Sequence, residues 1–201
     1  MAETGPAVLC RSPLAHLEER MRAAGVTGTR GVTLVERPFL TMLNLRVDPA
    51  SEAAGRIGGT LGVPLPGECG RTAASGDRTV LWLGPDEWLV VSEGPAADAE
   101  LTAALDGGPG SVVDVSANRT TLELSGPAAR QVLEKGCPLD LHPRAFGPGR
   151  AVSTTVGPVA VLLWQVDDTP TYRLLPRSSF ADYLARWLID AMSEYRGPEV
   201  P

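Results

Sequence analysis

Lysine is almost missing from this 201-residue chain: Lys135 is the only one, so the remaining basic side chains are arginine. Alongside abundant Ala, Gly and Pro, that looks like a genome-wide compositional bias, and no single arginine marks an anion site by itself. Histidine is nearly as scarce, with only His16 and His142, and the three cysteines (Cys10, Cys69 and Cys137) lie far apart with no C-x-x-C. An odd number of dispersed thiols excludes a disulfide framework, and two histidines leave no local four-ligand zinc motif. Positive charge is in deficit as well: 24 acidic against 18 basic residues give a net charge of −6. Nucleic-acid binding needs a basic face that displaces counterions, so that class is excluded. The longest apolar run, "VAVLLW" at 159–164, is strand-sized, far short of the roughly 18 residues of a membrane helix. The first twenty residues have no apolar stretch behind a basic start, which reads against a secretory leader. The expectation is a soluble cytoplasmic chain.

Catalytic motifs are also lacking. No G-x-S-x-G, H-E-x-x-H, G-x-G-x-x-G or P-loop occurs. Gly107–Gly110 has neither the spacing nor the Lys of a phosphate cradle. The sequon Asn118-Arg119-Thr120 carries no meaning without secretion. Asp167 and Asp168, followed by Thr169-Pro170 between two strand patterns, read as a hairpin turn rather than paired carboxylates.

What is present is a 43% hydrophobic content, enough for a packed core, with 21% charge. "SPLAHLEERMRAAG" (12–25) reads as a helix with Ser12 as N-cap and Pro13 in the first turn. Leu14, Leu17 and Met21 share its apolar face, and Gly25 ends it. Strand patterns follow at 31–36 and 39–47, the latter with Leu43, Leu45 and Val47 alternating onto one face. A glycine-weakened helix is expected at 50–62, then a Gly/Pro-rich loop at 63–78 long enough for a binding role. Residues 79–91 read as a hairpin turning at Pro85 and Asp86, and 95–107 as a helix opening on proline. "GGPG" at 107–110 is the best candidate boundary between modules.

Beyond it, 111–116 and 119–126 read as strands and 127–136 as a helix between Pro127 and Gly136. Strands are expected at 150–157, 158–166 and 171–176. The last helix, 178–195, has Phe180, Tyr183, Leu184, Trp187, Leu188 and Ala191 as its apolar stripe. The pattern β-α-β-β-α followed by β-α-β-β-β-α predicts an α+β fold: two tandem ferredoxin-like units, antiparallel sheets with packed helices. The corresponding division is an amino-terminal helical segment (1–29), a first module (30–110) and a second (111–201).

"LEKGCPLDLHP" (133–143) holds the densest reactive chemistry, with Cys137, Asp140 and His142 close together. Cys137 follows the carboxyl end of a helix, where the dipole disfavours a thiolate, so a structural thiol is favoured over a nucleophile. Asp140 and His142 are spaced to share one face of an extended segment. They form either a His–carboxylate pair or, more simply, a hydrogen-bonded loop. Trp82, Trp88, Trp164 and Trp187 read first as core, and second as interface anchors.

With these residues in view, the chain resembles a known family. "SPLAHL", "LGPDEWLVV", "VVDVSANRTTLELSGPAARQVLEKGCPLDLHP" and "RSSFADYLARWL" are similar to the gamma subunits of heterotetrameric sarcosine oxidases, from about Ser12 to Tyr195. The resemblance implies a bacterial cytoplasmic complex of alpha, beta, gamma and delta chains that oxidatively demethylates sarcosine. Its products are glycine, hydrogen peroxide and formaldehyde, or 5,10-methylenetetrahydrofolate when folate is present. It further implies that FAD, FMN and NAD sit on the large subunits and zinc on delta, and that this chain contacts mainly alpha. This chain would have no catalytic, cofactor or metal residue of its own.

The wider resemblance is to folate-binding aminomethyltransferases, carried by "DVSANRTTLELSGPAARQVL" (114–133). Their catalytic aspartate lies on the strand before the one that here reads "TYRLL", and Ala160 or Val161 holds that place. The alternative function is a stand-alone folate-binding aminomethyltransferase-like protein using Arg119, Arg150 or Arg173 for the ligand's glutamate tail. A homo-oligomeric module is a third. Lys135-Gly136-Cys137 matches a motif of related iron–sulfur-assembly folate proteins in three letters, but after a different helix.

Overall fold

The computed structural model describes residues 10–95 and 97–197. The first nine residues of the amino-terminal stretch read against a leader, and Ala96 beside the expected proline start of the third helix, lie outside them. In chain order the elements are α1 (Glu18–Ala24), β1 (Thr33–Arg37), β2 (Thr41–Val47), α2 (Glu52–Leu61), β3 (Thr72–Ser75), β4 (Arg78–Gly84), β5 (Glu87–Ser92) and α3 (Asp98–Leu105). They continue with β6 (Gly110–Asp114), β7 (Thr121–Ser125), α4 (Ala129–Glu134), β8 (Arg150–Val156), β9 (Val159–Asp167), β10 (Thr171–Pro176) and α5 (Ala181–Ala191).

Alternation along the strands builds the layers. In β2, Leu43, Leu45 and Val47 point one way and Met42 the other, and all four are buried. The first set packs under α2 and α3 with Ile57, Val80, Trp88 and Leu101. Met42 faces inward with Leu81, Leu89 and Val91, against Ala151, Leu162, Trp164 and Leu175 of a second sheet. On that sheet's far side Leu34, Leu124, Leu163, Tyr172 and Leu174 meet the helices α1, α4 and α5. The order is helices, sheet, sheet, helices, with both sheets antiparallel and five-stranded: β3-β4-β5-β2-β6 and β1-β7-β10-β9-β8.

The sheets do not follow the sequence division at Gly110. β1 leaves the first half and pairs with β7, Thr33 opposite Ser125 through Arg37 opposite Thr121, which buries Leu34 beside Leu124. β6 stays with the first sheet, pairing with β2. Gly110, with φ 155°, enters β6 where an added Cβ would lie 2.7 Å from both the Arg46 carbonyl oxygen and Leu105 Cδ2. Gly110 therefore threads a crowded strand entry, where a boundary between modules was expected. The supposed loop at 63–78 contains the edge strand β3. Its start ties to β8, with Thr72 N–H donating to the Gly149 carbonyl (3.1 Å) and Ala151 N–H to that of Gly70 (2.9 Å).

Two terminal signals resolve differently from expectation. Ser12 does not cap a helix: its hydroxyl donates to Glu36 Oε2 (2.6 Å), and a short 3-10 turn, Ala15–Leu17, leads into α1. A carboxylate that also accepts from Thr120 (2.6 Å) competes better for the hydroxyl than backbone amides do. On α5, Leu184 and Leu188 are buried, joined by Ala181 and Ala185, while Phe180 and Tyr183 are each 52% exposed. The alanines permit close approach to the sheet and turn the aromatics outward. His16 and Arg186 both bond Asp182 (2.6 and 2.7 Å), clipping α1's entry to α5, and Arg186 first, then His16, holds the Asp182 carboxyl down at about 2.

Behind α4, Gly136 is pressed against α5: a Cβ there would lie 2.5 Å from Trp187 Cζ2 and 3.0 Å from the Gly157 nitrogen. Gly136→Ala should therefore cost about 1–3 kcal/mol through overpacking. Urea denaturation checks this, and an unchanged midpoint would contradict the packing described.

Candidate functional site

The Cys137–His142 stretch is the first place to look for chemistry. Cys137 N–H donates to the Leu133 carbonyl (2.8 Å), extending the end of α4, and the thiol is buried in the core beneath the helices. Leu141 is buried too. Asp140 Oδ1 accepts the backbone N–H of His142 (2.9 Å), and His142 Nδ1 in turn accepts that of Arg144 (3.2 Å). Each side chain orders the turn that follows it, so the loop reading is the one realised. Lys135, next to this stretch, donates to the Ala191 carbonyl, pairs with Glu194 (3.2 Å) and lies over the Tyr195 ring. It fastens the end of α5 and has no link to the thiol. Asp167 likewise serves a turn, accepting from the Thr169 backbone (3.0 Å) and hydroxyl (2.5 Å).

The second place is the space between the sheets. Ala160 sits at the exposed start of β9 opposite Thr155, and Val161 is buried toward the helices. Neither side chain can ionise. The three candidate arginines do not share one space: only Arg173 is among the residues that line the cleft of about 460 Å³ at the end of the inner core. Arg119 Nη1 donates to the Leu175 carbonyl (2.8 Å), where burial, and then Arg177 alongside, push its pKa down. Arg150 opens β8, in a bridge to Arg71. Arg173 bonds Glu123 (2.9 Å), approaches Glu93 (3.6 Å) and stacks on Trp164, 5.0 Å from the ring centroid.

Glu93 also accepts from Arg37 (2.8 Å), which lowers the acid and raises the base. Two cations and two carboxylates thus close one end of the inner core, beside a cleft of about 460 Å³ lined by Thr72, Asp77, Ser92, Gly149 and Trp164. Such a balanced cluster ties sheet to sheet and commits both of its own cations, whereas the buried Nε of Arg150, outside it, has no hydrogen-bond partner. Sequence reasoning picked Arg173 but missed Arg37, Glu93 and Glu123. For Glu123 the signal was opposite charge to Arg173 across the β7–β10 ladder, readable once the register is known; Arg37 and Glu93 come from different sheets, and no strand register pairs them.

The tryptophans divide. Trp88 is buried and donates to the Pro66 carbonyl (2.8 Å), Trp164 is buried under Arg173, and Trp82 and Trp187 are partly buried against the cores. Among the described residues, no group of three His, Cys, Asp or Glu side chains is placed to hold a metal ion, and no helix is long and apolar enough to cross a membrane.

Comparison with known proteins decides the family. The model of the sarcosine oxidase gamma subunit family matches residues 45–194. The chain belongs to that family. It is 49% identical over 194 residues to a sarcosine oxidase gamma subunit of Corynebacterium sp. (strain U-96), covering 96% of this chain and 94% of that one. It is 47% identical, over the same shares, to one from Arthrobacter sp.. Among solved structures, a chain of the heterotetrameric sarcosine oxidase from Corynebacterium sp. U-96 in complex with pyrrole 2-carboxylate superposes with a TM-score of 0.91 at 48% identity. That match covers 96% of this chain and 100% of that one. The glycine cleavage system aminomethyltransferase T from Bartonella henselae shares the fold, with a TM-score of 0.65 at 15% identity, over 88% of this chain and 56% of that one.

The gamma-family fold therefore has the antiparallel α+β architecture and the aminomethyltransferase likeness expected from sequence. In this chain Cys10 and Cys69 are exposed and Cys137 is buried. A disulfide exchange reagent such as DTNB should accordingly titrate two thiols promptly in the folded protein and the third only on unfolding. Prompt reaction of all three would contradict the structural role of Cys137.

Proposed function

We propose that the chain is the gamma subunit of a heterotetrameric, cytoplasmic sarcosine oxidase, assembling with alpha, beta and delta chains and chiefly with alpha. In this role it has no catalytic site; FAD, FMN, NAD and zinc belong to the partners. The observation that carries the reading is the match to sarcosine oxidase gamma subunits along nearly the whole length of both chains. The non-catalytic part rests on Ala160 and Val161 at the position where the resemblance places an aspartate, and on Arg119 being bonded to backbone and Arg173 being paired with Glu123.

A subunit that supplies surface must expose apolar groups, and among the described residues Phe180 just before α5, Tyr183 on it, Val113 on β6 and Phe39 before β2 are the large exposed ones available to it, together with Val35. Aromatic anchors of this kind dominate interface energies when desolvated. The acidic net charge keeps the free chain soluble until it assembles.

The experiment is co-expression of alpha, beta and delta with and without this chain. With it, a four-subunit complex oxidising sarcosine should purify; without it, yield of the assembled complex should fall at least tenfold. Normal assembly and turnover in its absence would refute the structural role.

A further inference from the structure

β1 is an outermost strand of its sheet; Val26 bridges Val32 just before it, and beyond that bridge no described strand pairs with its outer side. The chain treats its other strand edges differently. The β3 and β8 ends of the two sheets are stitched together through Arg71, Arg150 and the backbone of Gly70 and Gly149, and α3 packs against β6. Beside β1, by contrast, runs a groove of about 390 Å³ between the strand and α1. Ala15, Met21 and the stem of Glu18 form its helical wall; Thr33, Leu34 and Val35 form its strand wall. Its mouth is apolar and open, with Val35 43% exposed and Pro38 beside it. The next residue, Phe39, is 67% exposed and held at φ 60°, a left-handed conformation costly for a bulky side chain. Strain spent on turning an aromatic into solvent next to an apolar groove fits a surface that something covers.

We propose that this groove receives an extended segment of another subunit of the complex, which adds to β1 as a sixth strand between the edge and α1. This rests on the subunit reading above and names the mode of docking. A free strand edge specifies its occupant: only an extended backbone can satisfy the outward row of N–H and C=O groups, while the helical wall takes alternate side chains. Charge adds a second constraint. Arg22 on the groove wall is already paired with Glu19, and both Glu36 oxygens are taken by Ser12 and Thr120, whereas Glu18 has no ion-pair partner among the described residues. The incoming segment is therefore apolar at alternate positions and carries a Lys or Arg that meets Glu18. A second copy of β1 would instead set Glu18 against its own acidic wall.

The test uses the full complex. Val35→Arg and Ala15→Arg alter exposed positions on either wall, so the free variants should melt with the wild-type chain. Their affinity for the other three subunits, read by competition with tagged wild-type chain, should fall at least tenfold. Glu18→Lys should weaken binding more at low than at high salt. In parallel, a photo-crosslinking p-benzoylphenylalanine placed at Val35 should capture one contiguous stretch of a partner subunit. Variants that assemble with unchanged affinity, a crosslink to a second copy of this chain, or no crosslink in an assembled complex would overturn the docking mode and leave the subunit role intact. A wild-type chain that does not assemble at all would remove both.

Discussion

The burial of one sheet against the other is the constraint from which the rest of the molecule follows. Met42, Leu81, Leu89 and Val91 meet Ala151, Leu162, Trp164 and Leu175 in one apolar cluster. Each sheet's outer face is then committed to helices, since alternation gives a strand only two faces to bury. The space that an α+β protein of this kind would use for a ligand is packed with apolar side chains. At its rim it is closed by the Arg37–Glu93–Arg173–Glu123 cluster. Charges held there within hydrogen-bonding distance of each other have little to gain from a soluble ligand, because breaking the cluster strands a partner in a half-buried site.

The likeness to an aminomethyltransferase is one of fold, and fold alone assigns no chemistry. Where the resemblance places a catalytic aspartate this chain has Ala160 or Val161, and the reactive-looking Cys137, Asp140 and His142 are absorbed into a core and two turns. What the chain offers is area: exposed aromatics on α5 and ahead of β2, and an open strand edge flanked by a helix. These are groups whose burial contributes free energy only when another macromolecule covers them.

Much of this was legible in the amino-acid sequence. A period-two run located β2, and Leu14, Leu17 and Met21 marked the buried face of the first helix, because both signals arise from burial on one side. The loop role of Asp140 and the turn role of Asp167 followed from short-range chemistry that sequence displays directly. The partnering of strands did not. Nothing local says that β1 crosses to the other sheet, or that Gly110 opens a strand, since both depend on what lies opposite. The same holds for Glu123 and Arg173, fifty positions apart and adjacent only across a ladder. On α5 a helical period correctly gave the stripe, but its edge was set by alanines that let the sheet approach, leaving Phe180 and Tyr183 outside.

The central claim, that the inner space is filled and the chain acts through its surface, is tested most directly by titrating the purified chain with tetrahydrofolate in a calorimeter. The account predicts no heat beyond dilution at any concentration up to about 1 mM, the weak end of measurable affinity. A saturating isotherm of one ligand per chain, weakened by Arg173→Met, would contradict it.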